Sequence, residues 1–519
     1  MTTTSVVHPT SDRTAAPPAL VRNTVFNGVA SLVGLGVGLV LSPILLATLG
    51  VERFGLWSLL WAVTGSLGLV DLRLAAAVTP LAAAAWTRGE RERVAVLAST
   101  SVVFYGVLGA VEVAAAVAVT RFPALVLWLP ESLRGEARAA VVAAVAVFAL
   151  NSLTSVFTSL LQGAQRFDVA ARITVAVTLV RGVALAFIAV AGGGLSELLL
   201  AESGLAVLQL VVTVRAVSRL FPGLGLVRRP DRGVLRELSS FGGKLQIAHL
   251  AHLIGLHGDK ILLSAFLGLS AVAYYDLGSK IAYVMRGLPL LLISAALPAA
   301  TALDAAGDRQ RLWQFYLSGT RLLVFAATPL FVFTAAGAAP ILLVWAAVDA
   351  PDARLAVWLL AAGYYLNLLS GMAHTVALGI GRPELELRRS ILAGALNIAL
   401  SAGLIPVLGF AGAPLGTALA FAAGAVYLVV AFASEMGGSV VAVVRLLRRP
   451  LLMAVPAAAG ALVIAMVPEP TRAGAALGLA TSATLIGALF LWLAVRDGVV
   501  SREWLRTLPA LLRPTTSAP

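Results

Sequence analysis

The sequence predicts an all-α integral membrane protein of about 14 transmembrane helices: two six-helix bundles related by a pseudo-two-fold axis along the membrane normal, plus two extra C-terminal helices. Three observations predict this fold: an apolar composition, apolar runs of membrane-spanning length, and an internal repeat. Of the 519 residues, 60% are hydrophobic and 12% are charged, whereas about a quarter of a soluble protein is charged. The apolar side chains therefore have to be buried in lipid as well as in a core.

The apolar runs are roughly 20 residues long, as a helix needs to cross a ~30 Å hydrocarbon core. A signal peptide is not expected, because residues 1–21 are polar and the first run is too long for a cleavable segment. The absence of cysteine excludes disulfides and thiolate chemistry. In chain order, the predicted spans are 24–49, 54–86, 94–119, 137–161, 172–193, 195–217, 241–266, 271–299, 312–336, 354–379, 387–407, 411–433, 450–467 and 473–495.

The basic residues indicate how the chain is oriented in the membrane. With the N-terminus inside, the predicted inner segments hold 26 Lys and Arg residues and the outer segments hold 6. Cytoplasmic segments carry such an excess. We therefore expect a multi-pass protein of the plasma (inner) membrane with both termini cytoplasmic. Because this topology accounts for most of the net charge of +13, a nucleic-acid partner is not expected.

An internal repeat predicts the two bundles. At a shift of 218 residues, LGVERFGLWSL (49–59) aligns with LGLSAVAYYDL (267–277), and Pro80 aligns with Pro298. Each copy holds six predicted helices, an even number, so both copies face the same way across the membrane. At a shift of 216, the aligned pairs are Asn151 with Asn367, Gly163 with Gly379, Arg166 with Arg382, and Arg172 with Arg388.

The repeat also sets the predicted domain boundaries. The stretch FPGLGLVRRPDRGVLREL carries Pro, Gly and clustered Arg, as expected of a link between the bundles. The last two helices have no counterpart in the repeat. The predicted units are a cytoplasmic tail at 1–23, a six-helix bundle at 24–217, a cytoplasmic linker at 218–240, a second six-helix bundle at 241–433, and two additional helices with a cytoplasmic tail at 434–519.

The seventh predicted helix is unusually polar for a membrane span. At about 100° per residue, six polar side chains share one half of this helix, although leucines share it too. Such a face is unstable against lipid, so we expect it to face the other bundle or a water-filled cavity. The six residues are Gln246, His249, His252, His257, Asp259 and Lys260.

Other predicted spans also carry ionisable residues, each costing at least ~2.5–3.5 kcal/mol when isolated at the centre of a bilayer. In the eighth helix, an arc of ~120° holds four polar residues. A cleft between the two bundles would allow such groups to share water, pair or bind a ligand. The residues are Asp276, Lys280, Tyr283 and Arg286 in the eighth helix, Asp71 and Arg73 in the second, Arg181 in the fifth and Arg321 in the ninth.

Several of these groups also have a structural interpretation. Asp259 and Lys260 are adjacent and could form an interfacial pair that fixes the depth of the helix. Asp276 and Lys280 are four residues apart and could neutralise each other. Arg321 could extend to the cytoplasmic interface.

Two further patterns favour structural roles. The spacing of His249 and His252 resembles part of a metal site, but nothing nearby supplies a third and a fourth ligand, so no metal is expected. Glu112 and Glu202 lie in the outer parts of their helices and could be surface groups. No Walker A motif occurs in the sequence, so direct ATP hydrolysis is not expected.

The chain resembles the polysaccharide transporter branch of the multidrug/oligosaccharidyl-lipid/polysaccharide exporter superfamily. The resemblance covers the first twelve predicted helices, and it implies a flippase rather than an enzyme. Such a flippase moves a polyprenyl-diphosphate-linked oligosaccharide across the plasma membrane by alternating access, as in O-antigen export. The segments that carry the resemblance are Asn27, SPILLATLGVERFGLW (42–57), LVDLRL (69–74), DKILLSAFLGLSAVAYYDLGSK (259–280), Pro298-Ala299 and AGDR (306–309).

The resemblance also implies a binding site. In that branch and in the similar lipid II flippases, cationic residues of helices one, two, seven and eight line a cavity for the diphosphate-sugar head group. The matching positions here are Arg73, Lys260, Lys280 and Arg286. The family usually has Asp-Leu-Gly-Leu in the second helix, so Arg73 is a departure, either a subgroup-specific contact or a pairing partner elsewhere. Together with the polar stripe, the predicted substrate-binding residues are Arg73, Arg181, His249, His252, Lys260, Lys280, Tyr283 and Arg286, and the predicted ion-coupling residues are Asp71, Asp259 and Asp276.

Other functions remain open on the sequence. A multidrug antiporter of the same superfamily would need acidic cavity residues, and a lipid II-type flippase would carry a related lipid. A membrane glycosyltransferase or polymerase would need catalytic carboxylates in large outer loops, but the longest outer loops, about 120–136 and 337–353, are short. No cofactor is expected beyond a coupling H⁺ or Na⁺. The expected partners are the polyprenyl-linked glycan, membrane lipid, and the glycosyltransferases and polymerase of the same pathway.

Overall fold

The computed structural model describes residues 17–68, 74–121, 131–223, 230–293, 296–466 and 471–499. Within these ranges the chain consists of helices and short turns, without a β-strand. The helices are α1 (Pro17–Leu49), α2 (Val51–Leu67), α3 (Leu74–Thr87), α4 (Arg91–Arg121), α5 (Glu131–Gly163), α6 (Phe167–Val190), α7 (Leu195–Leu220), α8 (Arg232–Leu267), α9 (Leu269–Leu290), α10 (Ala296–Ala305), α11 (Arg309–Ala336), α12 (Ala338–Ala346), α13 (Pro351–Leu369), α14 (Gly371–Gly379), α15 (Pro383–Leu408), α16 (Gly412–Glu435), α17 (Val440–Met466) and α18 (Arg472–Arg496).

The helices are those of a multi-pass membrane protein. Among the described residues, nine apolar segments are long enough to cross a membrane, and the bent pair α9–α10 raises the number to ten. This number is below the 14 spans predicted, partly because the segment Pro383–Glu435 counts once although it contains both α15 and α16. The all-helical membrane class is therefore confirmed.

Two predicted spans each correspond to two helices. The span predicted at 54–86 holds α2, which ends at Leu67, and α3, which begins at Leu74, and residues 69–73 lie outside the described ranges. The span predicted at 354–379 is divided between α13 and α14 at Ser370. Hydropathy alone did not reveal that α2 ends at Leu67 or that α13 ends at Leu369, because apolar residues flank both positions.

The span predicted at 271–299 is bent. α9 continues into a 3₁₀ turn at Leu291–Ile293, and α9 and α10 meet at an angle of 40°. Pro289 lies in the last turn of α9. Proline lacks the N–H that would bond to the preceding turn and its ring clashes with that turn's carbonyl, so a bend here is expected.

Helix α8, which contains the seventh predicted span, begins inside the predicted linker 218–240. α8 starts at Arg232, and the carboxylate of Asp231 accepts a hydrogen bond of 2.8 Å from the backbone N–H of Val234. An aspartate at this position satisfies one of the donors at a helix N-terminus. Leu238, in the second turn of the helix, is fully buried.

The internal repeat has a counterpart in the backbone. Gly50 precedes α2 and Gly268 precedes α9, and both have left-handed φ angles, +78° and +85°. Only glycine adopts such angles without strain. These two residues are separated by the same 218 positions as the aligned sequences.

A second pair of glycines makes matching helix contacts. A Cβ on Gly163 would lie 2.9 Å from the carbonyl oxygen of Thr79, and a Cβ on Gly379 would lie 2.9 Å from that of Leu297. These contacts bring the end of α5 against α3 and the end of α14 against α10. A larger side chain at either glycine would push the helices apart.

The order of helix packing is also repeated. α1 packs on α6 as α8 packs on α15, α5 packs on α7 as α13 packs on α16, and α6 packs on α7 as α15 packs on α16. We refer to α1–α7 as the N-terminal half and to α8–α16 as the C-terminal half. The additional helices α17 and α18 pack on α11 and α12 of the C-terminal half.

Candidate substrate cavity and ion site

A cavity lies between α1 of the N-terminal half and α8, α9 and α13 of the C-terminal half. Its volume is about 520 Å³, within the ~300–1,000 Å³ typical of ligand sites. We call it the central cavity. α1 contributes small and apolar residues, whereas α8 and α9 contribute the ionisable ones. The lining residues are Ser31, Gly34, Leu35, Gly38, Leu39, His257, Lys260, Asp276, Ser279, Lys280, Tyr283, Val284 and Tyr364.

Asp276 on α9 contacts both lysines of the central cavity. Its Oδ1 lies 2.5 Å from the Nζ of Lys260, and its Oδ2 lies 2.6 Å from the Nζ of Lys280. Only 4% of the Asp276 side chain is exposed, against 14% for Lys260 and 33% for Lys280. One carboxylate shared by two ammonium groups leaves an excess of positive charge at the wall of the cavity.

The same two lysines join the two halves of the protein. Lys260 donates a hydrogen bond of 3.0 Å to Ser58 on α2, and Lys280 donates one of 2.7 Å to Ser42 on α1. The Nζ of Lys280 also lies 5.4 Å from the ring centre of Phe54, within cation–π distance. Both ammonium groups are therefore held between the halves.

A third cation, Arg286, lies further along α9. Its Nε donates a hydrogen bond of 3.1 Å to the Oδ1 of Asn367 on α13. Its guanidinium carbon lies 5.9 Å from the ring centre of Tyr364, which lines the central cavity. The ring of Tyr283 packs edge-on against Tyr364 with centroids 6.2 Å apart. Arg286 is thus positioned by α13 at the border of the cavity.

A second polar group, which we call the Asp259 cluster, lies inside the C-terminal half. Asp259 on α8 is 1% exposed. Its carboxylate accepts hydrogen bonds from Tyr275 at 2.5 Å, from Ser401 at 2.6 Å, from the Nδ2 of Asn397 at 3.2 Å, and from Thr417. Four helices, α8, α9, α15 and α16, therefore meet at one carboxylate.

Helical spacing brings these donors together. Asn397 and Ser401 are four residues apart on α15, so they lie on one face, and Thr417 lies four residues after Ala413 on α16. The Ala413 carbonyl accepts a hydrogen bond of 3.1 Å from the Thr417 hydroxyl. The cluster therefore contains carboxylate, hydroxyl, amide and carbonyl oxygens.

The chemistry of the Asp259 cluster fits a small monovalent cation or a proton. Hard cations prefer oxygen ligands, and a single carboxylate balances a single positive charge. The Oδ1 of Asn397 is buried and has no hydrogen-bond partner among the described residues. The oxygen and nitrogen of an asparagine amide are told apart only by their hydrogen bonds. Rotating the Asn397 amide by half a turn would bring its Oδ1, in place of its Nδ2, next to the Asp259 carboxylate, where it could bind a cation.

A second cavity, the N-terminal cavity, lies inside the N-terminal half among α3, α5, α6 and α7, with a volume of about 680 Å³. Arg181 lines it, and its Nε lies 3.1 Å from the Oε2 of Glu202 on α7. Glu202 is 3% exposed. The lining residues are Ala75, Ala76, Thr79, Asn151, Thr154, Ser155, Thr158, Ser159, Gln162, Thr174, Thr178, Arg181 and Gln209.

The sequence match to a known family covers more than half of the chain. The family model described as polysaccharide biosynthesis protein matches residues 20–303 of the 519. The chain belongs to the polysaccharide biosynthesis protein family. No curated protein sequence matches it.

Several solved transporter structures share the fold of this chain. Lipid II flippase MurJ in an inward closed conformation has a TM-score of 0.69 at 13% identity, covering 92% of this chain and 100% of that one. An inward-facing multidrug resistance MATE family transporter of the MOP superfamily has a TM-score of 0.64 at 17% identity, covering 81% and 98%. A MOP superfamily transporter from Pyrococcus furiosus has a TM-score of 0.55 at 17% identity, covering 81% and 95%. The polysaccharide biosynthesis protein therefore has the fold of MOP superfamily transporters.

The structure brings together one group of the predicted site residues and separates others. Lys260, Asp276, Lys280 and Tyr283 line the central cavity, with Arg286 beside it. By contrast, Arg181 faces the N-terminal cavity and Asp259 faces the interior of the C-terminal half. Asp71 and Arg73 lie outside the described residues, as do the side chains of His249 and His252.

Two structural interpretations of the sequence are wrong. Asp259 and Lys260 do not form an interfacial pair, because adjacent residues of a helix point about 100° apart and Lys260 contacts Asp276 instead. Glu112 and Glu202 are buried at 9% and 3% exposure rather than lying at the surface. Arg321 donates a hydrogen bond to the backbone carbonyl of Asp497, directly after the C-terminal end of α18, and its extension to the interface stays a prediction.

Sequence reasoning missed the neutral partners of the charged residues. These partners come from distant helices, and no charge marks them in the sequence. Only the four-residue spacing of Asn397 and Ser401 within an apolar span could have indicated a polar helix face. The missed residues are Ser42, Ser58, Tyr275, Asn367, Asn397, Ser401 and Thr417.

Proposed function

We propose that this polysaccharide biosynthesis protein is a flippase that moves a polyprenyl-diphosphate-linked oligosaccharide across the plasma (inner) membrane by alternating access. The observation that carries the proposal is the pair of lysines at the central cavity, which share one buried carboxylate. We also propose that the chain crosses the membrane 14 times, with two six-helix bundles related by two-fold symmetry and with both termini in the cytoplasm. The glycosyltransferases and polymerase of the pathway would be its partners.

A diphosphate is the anion that suits this arrangement. Lys260 and Lys280 can exchange the two oxygens of Asp276 for the more numerous oxygens of a diphosphate, through charge-assisted hydrogen bonds. Before the exchange, Asp276 keeps both ammonium groups paired, which avoids the cost of isolated charges at membrane depth. Arg286 would add a third donor at the border of the cavity. The lipid tail would remain in the bilayer.

Alternating access requires the contacts between the two halves on one side of the membrane to be lost. Lys260 contacts Ser58, and Lys280 contacts Ser42. Gly55 lies against the backbone of Leu269, so closely that a Cβ on Gly55 would be 2.0 Å from the Leu269 carbonyl oxygen. All three contacts join α1 or α2 to α8 or α9. A substrate that withdraws the lysines from the serines would weaken the contacts that hold the halves together in this conformation.

The Asp259 cluster supports coupling to H⁺ or Na⁺. Asp259 is adjacent to Lys260 on α8, and Tyr275 is adjacent to Asp276 on α9. The same two short helix segments thus face the cluster on one side and the central cavity on the other. A change of charge at Asp259 that shifts α8 against α9 would therefore also move Lys260 and Asp276. We propose that the ion acts on the substrate site through these two helices.

The charge of the central cavity disfavours a multidrug antiporter. A cationic drug entering the cavity would meet the ammonium groups of Lys260 and Lys280. Asp276, the only carboxylate among the described lining residues, is already shared by both. A lipid II-type flippase remains within the proposed class, because its substrate also carries a polyprenyl diphosphate.

Export of surface polysaccharide by cells tests the proposal. Lys260→Gln and Lys280→Gln are made singly at matched expression, and each leaves Asp276 with one lysine partner. Each should lower export about 10- to 100-fold, since a hydrogen bond to a charged group contributes about 1.5–3 kcal/mol. Arg311→Gln, at a side chain that is 80% exposed, is the control and should export normally. Normal export by both lysine variants would overturn the proposal.

A further inference from the structure

One face of α5 directs a continuous row of neutral hydrogen-bonding side chains into the N-terminal cavity. Asn151, Thr154, Thr158 and Gln162 follow one another at intervals of three or four residues, which places them on one face over three helical turns. The hydroxyls of Thr154 and Thr158 donate to carbonyls of their own helix, whereas the amides of Asn151 and Gln162 need further partners such as water or a ligand. The function proposed above does not use this row.

The hydroxyl groups in the cavity keep their acceptor positions available. The Thr154 hydroxyl donates to the Leu150 carbonyl at 2.7 Å, and the Thr174 hydroxyl donates to the Ala170 carbonyl at 3.0 Å. Their protons are used within their own helices, so their oxygens can still accept a hydrogen bond from a ligand in the cavity. The amides of Asn151 and Gln162 add donors as well as acceptors.

Among its described lining residues, the N-terminal cavity is also nearly neutral. The one charged side chain among them, Arg181, is balanced by Glu202 at 3.1 Å. The Nη2 of Arg181 is buried and has no hydrogen-bond partner among the described residues, so it can donate to a ligand. A neutral wall with many donors and acceptors suits an uncharged ligand that is rich in hydroxyl groups.

Resting on the flippase function proposed above, we infer that the N-terminal cavity binds the oligosaccharide of the lipid-linked substrate, through uncharged sugar residues. Its volume of about 680 Å³ is in the range of small-molecule sites. The two cavities then divide the substrate: the central cavity takes the diphosphate and the N-terminal cavity takes sugar.

A single introduced thiol tests each cavity, because the natural sequence has no cysteine. Ser155→Cys places a thiol in the N-terminal cavity, and Ser279→Cys places one in the central cavity. The full-length variants in nanodiscs are labelled with methyl methanethiosulfonate, a small neutral reagent. The probes are neutral methyl hexosides, glucuronate and inorganic diphosphate. Thr178→Cys, on the opposite wall, repeats the test if the first variant folds poorly.

The neutral hexosides should slow labelling at position 155 by the factor 1 + [L]/Kd, which is about tenfold at a concentration ten times Kd. Glucuronate and diphosphate should leave position 155 unchanged, while diphosphate slows labelling at position 279. Equal labelling with and without hexosides at positions 155 and 178 would overturn the inference. If diphosphate fails to slow labelling at position 279 while hexosides still slow labelling at position 155, the result counts against the flippase proposal and not against the sugar site. The two failures are therefore distinguishable.

A lipid-linked probe tests whether the N-terminal cavity binds the sugar of the lipid-linked substrate rather than a free sugar. Undecaprenyl diphosphate that carries a neutral oligosaccharide should protect both thiols, whereas bare undecaprenyl diphosphate should protect position 279 only. Protection of position 279 alone by the glycosylated lipid would overturn the assignment of the N-terminal cavity to the substrate's oligosaccharide.

Discussion

The two halves of the protein repeat one packing order but bury different chemistry. The N-terminal half encloses a cavity of about 680 Å³ whose described lining is neutral apart from the Arg181–Glu202 pair. The C-terminal half closes tightly around the carboxylate of Asp259. At the shift of 216 residues, Arg181 occupies the position equivalent to Asn397. One scaffold used twice therefore encloses a buried carboxylate with its donors in one copy and a cavity of about 680 Å³ in the other.

The largest expected effect is that of Asp259→Asn in the C-terminal half. The amide keeps the size of the side chain and one accepting oxygen but removes the charge, so the variant should lose its response to the ion gradient. Coupling energies of about 1–3 kcal/mol correspond to 5- to 150-fold, so gradient-driven transport should fall about 100-fold. Transport in proteoliposomes with and without Na⁺ and pH gradients measures this. A fully retained gradient response would place coupling elsewhere.

Substitutions of Gly163 and Gly379 test whether the two halves pack their helices in the same way. Gly163→Ala and Gly379→Ala each place a methyl group 2.9 Å from a backbone carbonyl oxygen. Each should lower the free energy of unfolding by about 1–3 kcal/mol, seen as a lower midpoint of thermal unfolding. Gly135→Ala is the matched control on α5, since nothing lies within 4 Å of its added Cβ. Destabilisation by only one of the two variants would show that the halves pack differently at this point.

Sequence reasoning reached the fold class and part of the site for identifiable reasons. The cost of charge in lipid predicted that Lys260, Lys280 and Asp276 would be enclosed together, and they are. The partners Ser42 and Ser58 could not be predicted, because they lie more than 200 positions away and carry no charge. The helix breaks were missed for a similar reason, since apolar residues on both sides give one continuous hydropathy signal.

A smaller effect is expected from Thr417→Val, which removes one hydroxyl from the Asp259 cluster while keeping the shape of the side chain. The loss of one hydrogen bond to a charged group should raise the Na⁺ or H⁺ concentration for half-maximal transport about tenfold. Thr334→Val is the control, because this buried hydroxyl bonds only to the carbonyl of Leu330 in its own helix. An unchanged ion requirement in Thr417→Val would exclude this hydroxyl as a ligand.

The smallest effect is expected from the double variant Arg181→Gln/Glu202→Gln in the N-terminal half. Replacing both members of a buried ion pair avoids leaving either charge alone, so the free energy of unfolding should change by less than about 1 kcal/mol. The ion requirement of transport should be that of the natural protein. A loss of gradient dependence would instead show that the N-terminal half contributes to coupling.

Translocation by the purified protein tests the central claim most directly. Proteoliposomes are loaded with a fluorescent undecaprenyl diphosphate that carries an oligosaccharide, and the fraction reaching the outer leaflet is followed by quenching. The natural protein and Arg311→Gln should flip the lipid well above protein-free vesicles, and Lys260→Gln/Lys280→Gln should fall to the protein-free rate. Equal rates for the natural protein and the double lysine variant would contradict the account.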